Sequence, residues 1–244
     1  MTTRIGMLCW SGEPWRTVRF AAEAGFNCVV IDCEHGGATA RVVEAAATLA
    51  RAIDILLLVR VRSSEDIGTV LDCGAHGVLL PHIESADQAA LAASFAKYPG
   101  MGRRSLSSTR LRQLYRGVSM SEAIWAANRE TLVFVTVESA SAVAAVDQIA
   151  AVPQVDGIVV GALDLSVDFG SPGEFGIPNV LDAHRVAAKV CREKGKRFGA
   201  FWHTPILSRE IASLAPDLVI AGSDDSYFMK AASECAVNIR AQLG

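Results

Sequence analysis

Leu56-Leu57-Leu58-Val59-Arg60-Val61 is followed by the stretch Ser64 to Cys73 and then by Gly77-Val78-Leu79-Leu80-Pro81. The two outer runs are apolar and too short for helices, and the stretch between them is amphipathic, which is the sequence sign of a parallel strand–helix–strand unit. Working outward, the same alternation recurs along the chain. Strands are expected at Gly6 to Cys9, Cys28 to Asp32, Leu56 to Val61, Gly77 to Pro81, Leu132 to Val137, Gly157 to Gly161, Phe198 to Phe201 and Leu218 to Ala221. Helices are expected at Pro14 to Ala24, Ala38 to Ala52, Ser64 to Cys73, Ser85 to Ala96, Ala140 to Ala150, Val180 to Lys194, Pro205 to Leu214 and Tyr227 to Leu243, several of them opening on Ser or Pro.

Eight such units in 244 residues predict an α/β fold, a single (β/α)8 TIM barrel spanning residues 1–244. The alternative is an open doubly wound sheet, but no GxGxxG follows the first strand and no GxxxxGK[ST] occurs. The stretch Tyr98 to Glu130 is the longest connection and holds six of the 23 basic residues. It is expected to be an elaborated strand-to-helix loop over the active-site mouth.

The formal net charge is -3, from 23 basic and 26 acidic residues, and no basic stripe for nucleic acid or an anionic membrane stands out. A small-molecule partner is expected instead. Cys9, Cys28, Cys33, Cys73, Cys191 and Cys235 form no CxxC pair and are expected to be reduced, mostly buried thiols. The opening residues lack a charged region followed by an apolar one, and no apolar run reaches membrane-spanning length. The expectation is an unexported, cytoplasmic protein.

In a barrel the chemistry sits at the carboxyl ends of strands. Those ends carry Asp32-Cys33-Glu34-His35, Arg60, Pro81-His82, Glu138, Asp164, His203 and Asp224-Asp225. Glu138 and Asp164, on adjacent strand ends, make a hard oxygen site suited to Mg²⁺ or Mn²⁺, whose remaining positions a 2-oxo acid can fill. Such a metal polarises the keto oxygen and stabilises an enolate. The competing chemistry is a Schiff-base lysine, but Lys97, Lys189, Lys194, Lys196 and Lys230 are all expected in helices or at the barrel floor. His35 is the candidate general base, with Asp32 or Asp72 to orient it. Arg60 offers a planar fork for a carboxylate or an enolate oxygen.

These residues resemble the HpcH/HpaI aldolase family, the metal-dependent class II pyruvate aldolases, over most of the chain. Ile31-Asp32-Cys33-Glu34-His35 is similar to that family's IDxEH, Val59-Arg60-Val61 to its VR strand, and Leu71-Asp72-Cys73-Gly74-Ala75 to its LDxGA. Tyr98 to Arg104 resembles its YPPxGxRG turn, Val137-Glu138-Ser139 its IET, and Gly161 to Ser166 its GPxDLS. The resemblance implies a barrel of the phosphoenolpyruvate/pyruvate-domain type, with His35 as base, Asp72 paired to it, Arg60 steadying the enolate, and Glu138 and Asp164 on Mg²⁺, Mn²⁺ or Co²⁺. The departures are Gly100, Ser105, Ala162, Thr136 and His82, and the loop after Arg60 is about two residues short. Most of these would surround the substrate, which Arg60, Ala162, Leu163, Asp164, Thr136, Arg104 and His82 are expected to bind.

Each position also admits a plainer role. Glu138 and Asp164 are compatible with an ion pair or a helix cap, His35 with a packed histidine, and Arg60 with a pair to Asp32 or Glu34, leaving Arg62 as its rival. Asp72 falls on a helix end. His82, His203 and Asp224 read more readily as supporting or surface groups, His76 and His184 as solvated. Arg103, Arg104, Arg110, Arg112 and Arg116 are compatible with an anion site or with a solvated loop face.

The function so expected is a divalent-metal-dependent carbon–carbon lyase that cleaves or forms 4-hydroxy-2-oxo acids through a metal-bound pyruvate enolate. Its substrates would be pyruvate or oxaloacetate and an aldehyde or acyl partner. A citrate synthase-like condensation of oxaloacetate with acetyl-CoA, as in siderophore biosynthesis, is the first rival, and a non-catalytic small-acid-binding barrel the second. The resemblance also implies a homo-oligomer, a hexamer or trimer of dimers, in which helix 227–243 packs on or exchanges with a neighbour.

Overall fold

The computed structural model describes residues 3 to 243; Met1, Thr2 and Gly244, which the expected domain includes, lie outside the described residues. Strands β1 (Arg4–Cys9), β2 (Cys28–Asp32), β3 (Leu56–Arg60), β4 (Gly77–Leu80), β5 (Leu132–Val137), β6 (Gly157–Val160), β7 (Arg197–Trp202) and β8 (Leu218–Ser223) pair in chain order and close into one barrel. All the pairings are parallel, including β1 with β8. The closed barrel replaces the open-sheet alternative, and the expected strands match to within two residues at either end.

Alternation along each strand divides the side chains between two cores. Leu8, Val30, Leu58, Leu79, Phe134, Val159, Phe201 and Ile220 fill the barrel interior. Their sequence neighbours, among them Ile31, Val59, Val78, Val135, Val160 and Ala200, face the helices. Both faces are buried, so the strands read as unbroken apolar runs.

The helices are α1 (Pro14–Glu23), α2 (Ala40–Ala52), α3 (Asp66–Asp72), α4 (Ala86–Ser94), α5 (Ser108–Leu114), α6 (Met120–Glu130), α7 (Ala140–Ala150), α8 (Ala162–Asp168), α9 (Pro178–Lys194), α10 (Pro205–Ser213) and α11 (Asp224–Leu243). Pro14, Pro178 and Pro205 stand in the first turns of α1, α9 and α10, where a missing N–H costs nothing. Ser85 and Ser139 cap α4 and α7, and Ser119 with Glu122 forms a capping box on α6. The sequence reading omitted α5, α6 and α8.

The expected mouth loop, Tyr98 to Glu130, lies elsewhere. It follows helix α4 and precedes strand β5, so it joins helix to strand at the amino end of the barrel, the floor. There α5 and α6 pack on a small core of their own made by Tyr98, Leu111, Ala123 and Ala127. Helix α11 is the opposite case, since none of its residues is buried. Among the described residues, no helix is long and apolar enough to cross a membrane. The six cysteines are free thiols, with Cys9, Cys28, Cys33 and Cys191 buried, Cys73 half-buried and Cys235 exposed.

The barrel wall is tight where Gly77 faces β5. A Cβ there would meet the Leu132 carbonyl oxygen at 2.3 Å and its Cβ at 2.7 Å, and backbone has no flexible end to move away. Gly77→Ala is expected to cost about 2 kcal/mol of stability, read as a lower urea midpoint with an unchanged slope.

Candidate active site

The carboxyl ends of the strands form the mouth, and Asp32 is its anchor. Asp32 follows Val30 on the interior face of β2, and its side chain is buried completely. Its Oδ1 accepts from the backbone N–H groups of Glu34 and His35 at 3.0 and 3.2 Å and from Arg60 Nε at 3.0 Å. Its Oδ2 accepts from Arg60 Nη2 at 2.5 Å and from the Trp10 indole Nε1 at 2.7 Å. Burial alone would raise the Asp32 pKa, but the hydrogen bonds and charge of Arg60, with the further donors, hold it below the ordinary carboxylate range. Asp32 was expected to take part in catalysis or to orient the His35 ring. Its contact with His35 is through the backbone N–H, and no hydrogen bond joins it to the His35 ring among the described residues.

Arg60 emerges inside the barrel from β3, two residues after Leu58. Besides Asp32 it approaches Glu34, with Nε 3.2 Å from Oε2, and Nη1 takes part in neither pair. Arg62, the rival, is solvent-exposed beside Asp66. The His35 ring is 61 % exposed at the rim, its Nε2 3.6 Å from Glu34 Oε2.

On the opposite side stand Glu138, just beyond β5, and Asp164, in the first turn of α8. Both line a cavity of about 270 Å³ together with His82. Glu138 Oε1 accepts the His82 backbone N–H at 2.6 Å and lies 3.1 Å from Nδ1 of the His82 ring, whose Nε2 is 2.6 Å from Glu34 Oε1. The Glu138 pKa is raised, first by burial and further by the charges of Asp164 and Glu34, against the opposing contacts of His82. Asp164 does not cap α8, whose N-cap is Gly161, and it joins no ion pair among the described residues. Thr136, in the interior between Phe134 and Glu138, is buried with its hydroxyl unpartnered. Ala162 is buried at the start of α8, and Leu163 is exposed.

Two expected members are absent from this ring. Asp72 ends α3, which runs back from the mouth to the start of β4, so its carboxylate lies toward the floor and pairs with Arg104 Nη2 at 2.6 Å. Arg104 stacks over the Tyr98 ring in the same floor structure. Within one chain neither reaches His35 or the mouth, because both follow the helix rather than the strand. His76 and His184, expected to be solvated, are packed. His76 Nδ1 accepts the Leu57 N–H, and burial brings its pKa down to about 4; His184 is wholly buried and its pKa is lowered by burial.

Lysine chemistry finds no place at the mouth. Lys97 and Lys196 are spent on backbone carbonyls near the floor, and Lys189 and Lys194 lie on α9 and Lys230 on α11. A larger cavity of about 610 Å³ opens at the floor between Arg4, Phe134 and Arg197, but the clustered acids and Arg60 are at the mouth.

The donor set suits a hard divalent cation. Glu34, Glu138 and Asp164 crowd like charges together, and a Cβ on Gly161 would press on Glu138 at 2.9 Å from its Cβ and 3.1 Å from Oε2. Glycine there leaves room for that carboxylate. Among the described residues, no three acidic, histidine or cysteine side chains already converge on one point.

Two roles are absent from the sequence reading, Glu34 as a link between Arg60 and His82 and Trp10 as a donor to Asp32, while Asp224 takes the supporting role expected of it. Asp224 accepts from the backbone N–H groups of Trp10 and Ser11 at 2.9 and 3.3 Å and from the Thr17 hydroxyl at 2.8 Å. The only signal was placement, one residue beyond β1 and one beyond β8.

Asp32→Asn would leave Arg60 buried beside a neutral amide, at an expected cost of about 3 kcal/mol at pH 7. Because the folded-state pKa of Asp32 is depressed, its contribution is present above the unfolded-state value of about 3.9 and disappears as pH falls through the folded value. Urea unfolding of both proteins from pH 7 downward should show the gap narrowing only below about pH 4.

Comparison with known proteins identifies the family. The profile of the HpcH/HpaI aldolase/citrate lyase family matches residues 6–231. The chain is 32% identical to a 4-hydroxy-4-methyl-2-oxoglutarate aldolase of Chaetomium globosum, over 90% of this chain and 84% of that one. It is 30% identical to a hydroxypyruvate/pyruvate aldolase of Pseudomonas aeruginosa, over 96% and 87%. Among solved structures, an HpcH/HpaI aldolase from Desulfitobacterium hafniense superposes with a TM-score of 0.91 at 24% identity, covering 98% and 93% of the two chains. The citrate synthase SbnG gives 0.87 at 26%, covering 98% and 94%. The chain belongs to the HpcH/HpaI aldolase/citrate lyase family.

Proposed function

We propose that this carbon–carbon lyase acts on 4-hydroxy-2-oxo acids, releasing or consuming pyruvate or a close 2-oxo acid. The observation that carries this reading is the pairing, across one barrel mouth, of a fixed guanidinium on Arg60 with the crowded carboxylates Glu138 and Asp164. Relatives are named for 4-hydroxy-4-methyl-2-oxoglutarate, for hydroxypyruvate and pyruvate, and for 4-hydroxy-2-oxovalerate. These names share a 2-oxo acid and differ in what it is joined to.

Glu138 and Asp164 are the residues that would hold a divalent cation, Mg²⁺, Mn²⁺ or Co²⁺. When bound, such an ion supplies a Lewis acid for the 2-keto oxygen. The chain's own groups do the rest. Arg60, with Nε and Nη2 held by Asp32, presents Nη1 to the oxygen that gains charge, and its orientation is set before substrate arrives. His35, exposed on a backbone pinned by Asp32, takes the proton of the 4-hydroxyl. The C3–C4 bond then breaks, its electron pair passes to C3 as the enolate, and the aldehyde leaves. Protonation at C3 completes the 2-oxo acid, and the synthetic direction reverses each move.

Turnover is read from pyruvate released from a 4-hydroxy-2-oxo acid. Chelation by EDTA is expected to abolish it and Mn²⁺ or Mg²⁺ to restore it, and unchanged turnover after complete metal removal would sink the metal role. Arg60→Ala and His35→Ala should each lower kcat by about 100-fold or more with the fold intact.

The resemblance to SbnG favours a second reading, a condensation of oxaloacetate with an acetyl thioester. Acetyl-CoA and oxaloacetate incubated with the protein should release no thiol on the aldolase reading, and steady thiol release would replace it. A small-acid-binding barrel without catalysis would turn over neither substrate.

We also infer that the working form is an oligomer, a hexamer or trimer of dimers, in which α11 packs on a neighbouring subunit. A helix that buries nothing on its own barrel while exposing Phe228, Met229, Val237 and Ile239 has apolar surface left for a partner to cover. Phe228→Asp should shift the mass measured by light scattering toward the monomer.

A further inference from the structure

The inward face of the strands ends, at the floor, in two arginines. Arg4 on β1 shares the interior parity of Leu8, and Arg197 on β7 shares that of Phe201. The two strands flank β8, whose Leu218 pairs with Arg4 on one side and with Gly199 on the other. Two steps between neighbouring strands put the arginine backbones about 10 Å apart, close enough for both long side chains to reach one place. Both line the floor cavity of about 610 Å³.

Neither guanidinium joins an ion pair among the described residues. Arg4 Nη1 has a 3.5 Å contact with the Asn27 carbonyl oxygen. Asp217, the acid on the same wall, gives its Oδ2 to the Phe198 N–H at 2.9 Å instead. The charge of Arg4 reaches the barrel interior: burial pushes the thiol of Cys28, an interior residue of β2, up to about 12, and Arg4 opposes that rise. The rest of the wall is mainly apolar, with Phe134 and Leu218 buried and Leu56 and Leu132 half-buried.

An arginine on an open surface is satisfied by water. Two of them on the rim of an apolar concavity, with one carboxylate already engaged, leave positive charge in excess beside surface that a ligand's body can cover. We propose that the floor cavity binds a small organic carboxylate with an apolar body. Its carboxylate lies between Arg4 and Arg197, whose planar forks suit that group, and its body rests on Leu56, Leu132, Phe134 and Leu218. The cavity's volume falls within the roughly 300–1,000 Å³ that small-molecule sites occupy. Arg60, Glu138 and Asp164 stand at the other end of the barrel, so this site is independent of the lyase and metal readings.

The test titrates the full chain calorimetrically with 3-phenylpropionate, with its alcohol 3-phenylpropan-1-ol, which keeps the body without the charge, and with inorganic phosphate, which keeps the charge without the body. Wild type is compared with Arg4→Met, Arg197→Met and Arg60→Ala, the last to report on the mouth, and circular dichroism with the thermal midpoint checks each fold. The carboxylate should bind saturably to wild type, and the alcohol and phosphate at least about 10-fold more weakly. Each floor substitution should weaken the carboxylate by about 10-fold or more and Arg60→Ala by less than about twofold. In methyl-resolved spectra of wild type, Leu56, Leu132 and Leu218 should shift along the same titration curve, a readout that stands even if one floor variant fails to fold. The proposal is overturned if the carboxylate does not saturate, if those methyl signals stay fixed, or if Arg60→Ala abolishes binding while the floor variants keep it. Phosphate binding as tight as the carboxylate means a simple anion site and the alcohol binding as tight means an apolar patch, and either result replaces the proposal.

Discussion

The buried Asp32 carboxylate is the constraint on which the mouth depends. A charge inside the barrel is tolerable only if its lone pairs are satisfied, and Asp32 draws donors from the turn after β2, from β3 through Arg60, and from the loop after β1 through Trp10. Asp224 holds that same loop and α1 from the end of β8. The contacts continue from Arg60 to Glu34, from Glu34 to His82, and from His82 to Glu138. Three quarters of the ring of strand ends is thereby joined in one polar chain, and the orientation of each member is inherited from the one before it.

How much of this was legible depends on the range of the cause. Strands such as Cys28–Asp32 and Leu132–Val137 declare themselves through local composition, because burial on both faces demands apolar residues at every position. Helix α8 did not, because a seven-residue helix opening on Gly161 has no side-chain cap and only two turns in which to show its period. Tyr98 to Glu130 was misplaced for another reason. Its basic residues suggested a mouth, whereas its position after a helix determines the end of the barrel to which it belongs.

The site divides the same way. Asp32, Arg60 and Glu138 follow from parity along a barrel strand, which tells which residues face inward, and Asp164 from its place just beyond the end of β6. Asp72 and Arg104 have suggestive neighbours in sequence, but helix α3 carries Asp72 a full helix length away from the mouth. Trp10 meets Asp224 only when β8 closes on β1, and Glu34 meets Arg60 and His82 only when the ends of β2, β3 and β4 stand side by side. That closure is a long-range event with no local pattern. The His76 and His184 rings show the converse, where a polar type in the sequence concealed a packed position.

Asp32 and Glu138 are the same kind of group under opposite conditions. Asp32 has five donors, two of them from one guanidinium, and its proton affinity falls; Glu138 has like charges nearby and mainly His82 to offset them, and its proton affinity rises. A fold selected for stability alone would not keep the second arrangement beside the first, since crowded carboxylates oppose folding until something positive joins them. Environments that push two carboxylates apart mark a division of labour. Asp32 is spent on architecture and holds Arg60 and His35 in place. Glu138, with Gly161 clearing the space beside it, keeps the unsatisfied charge that a cation and a substrate can use, so the least stable part of the mouth is the part with chemistry left to do.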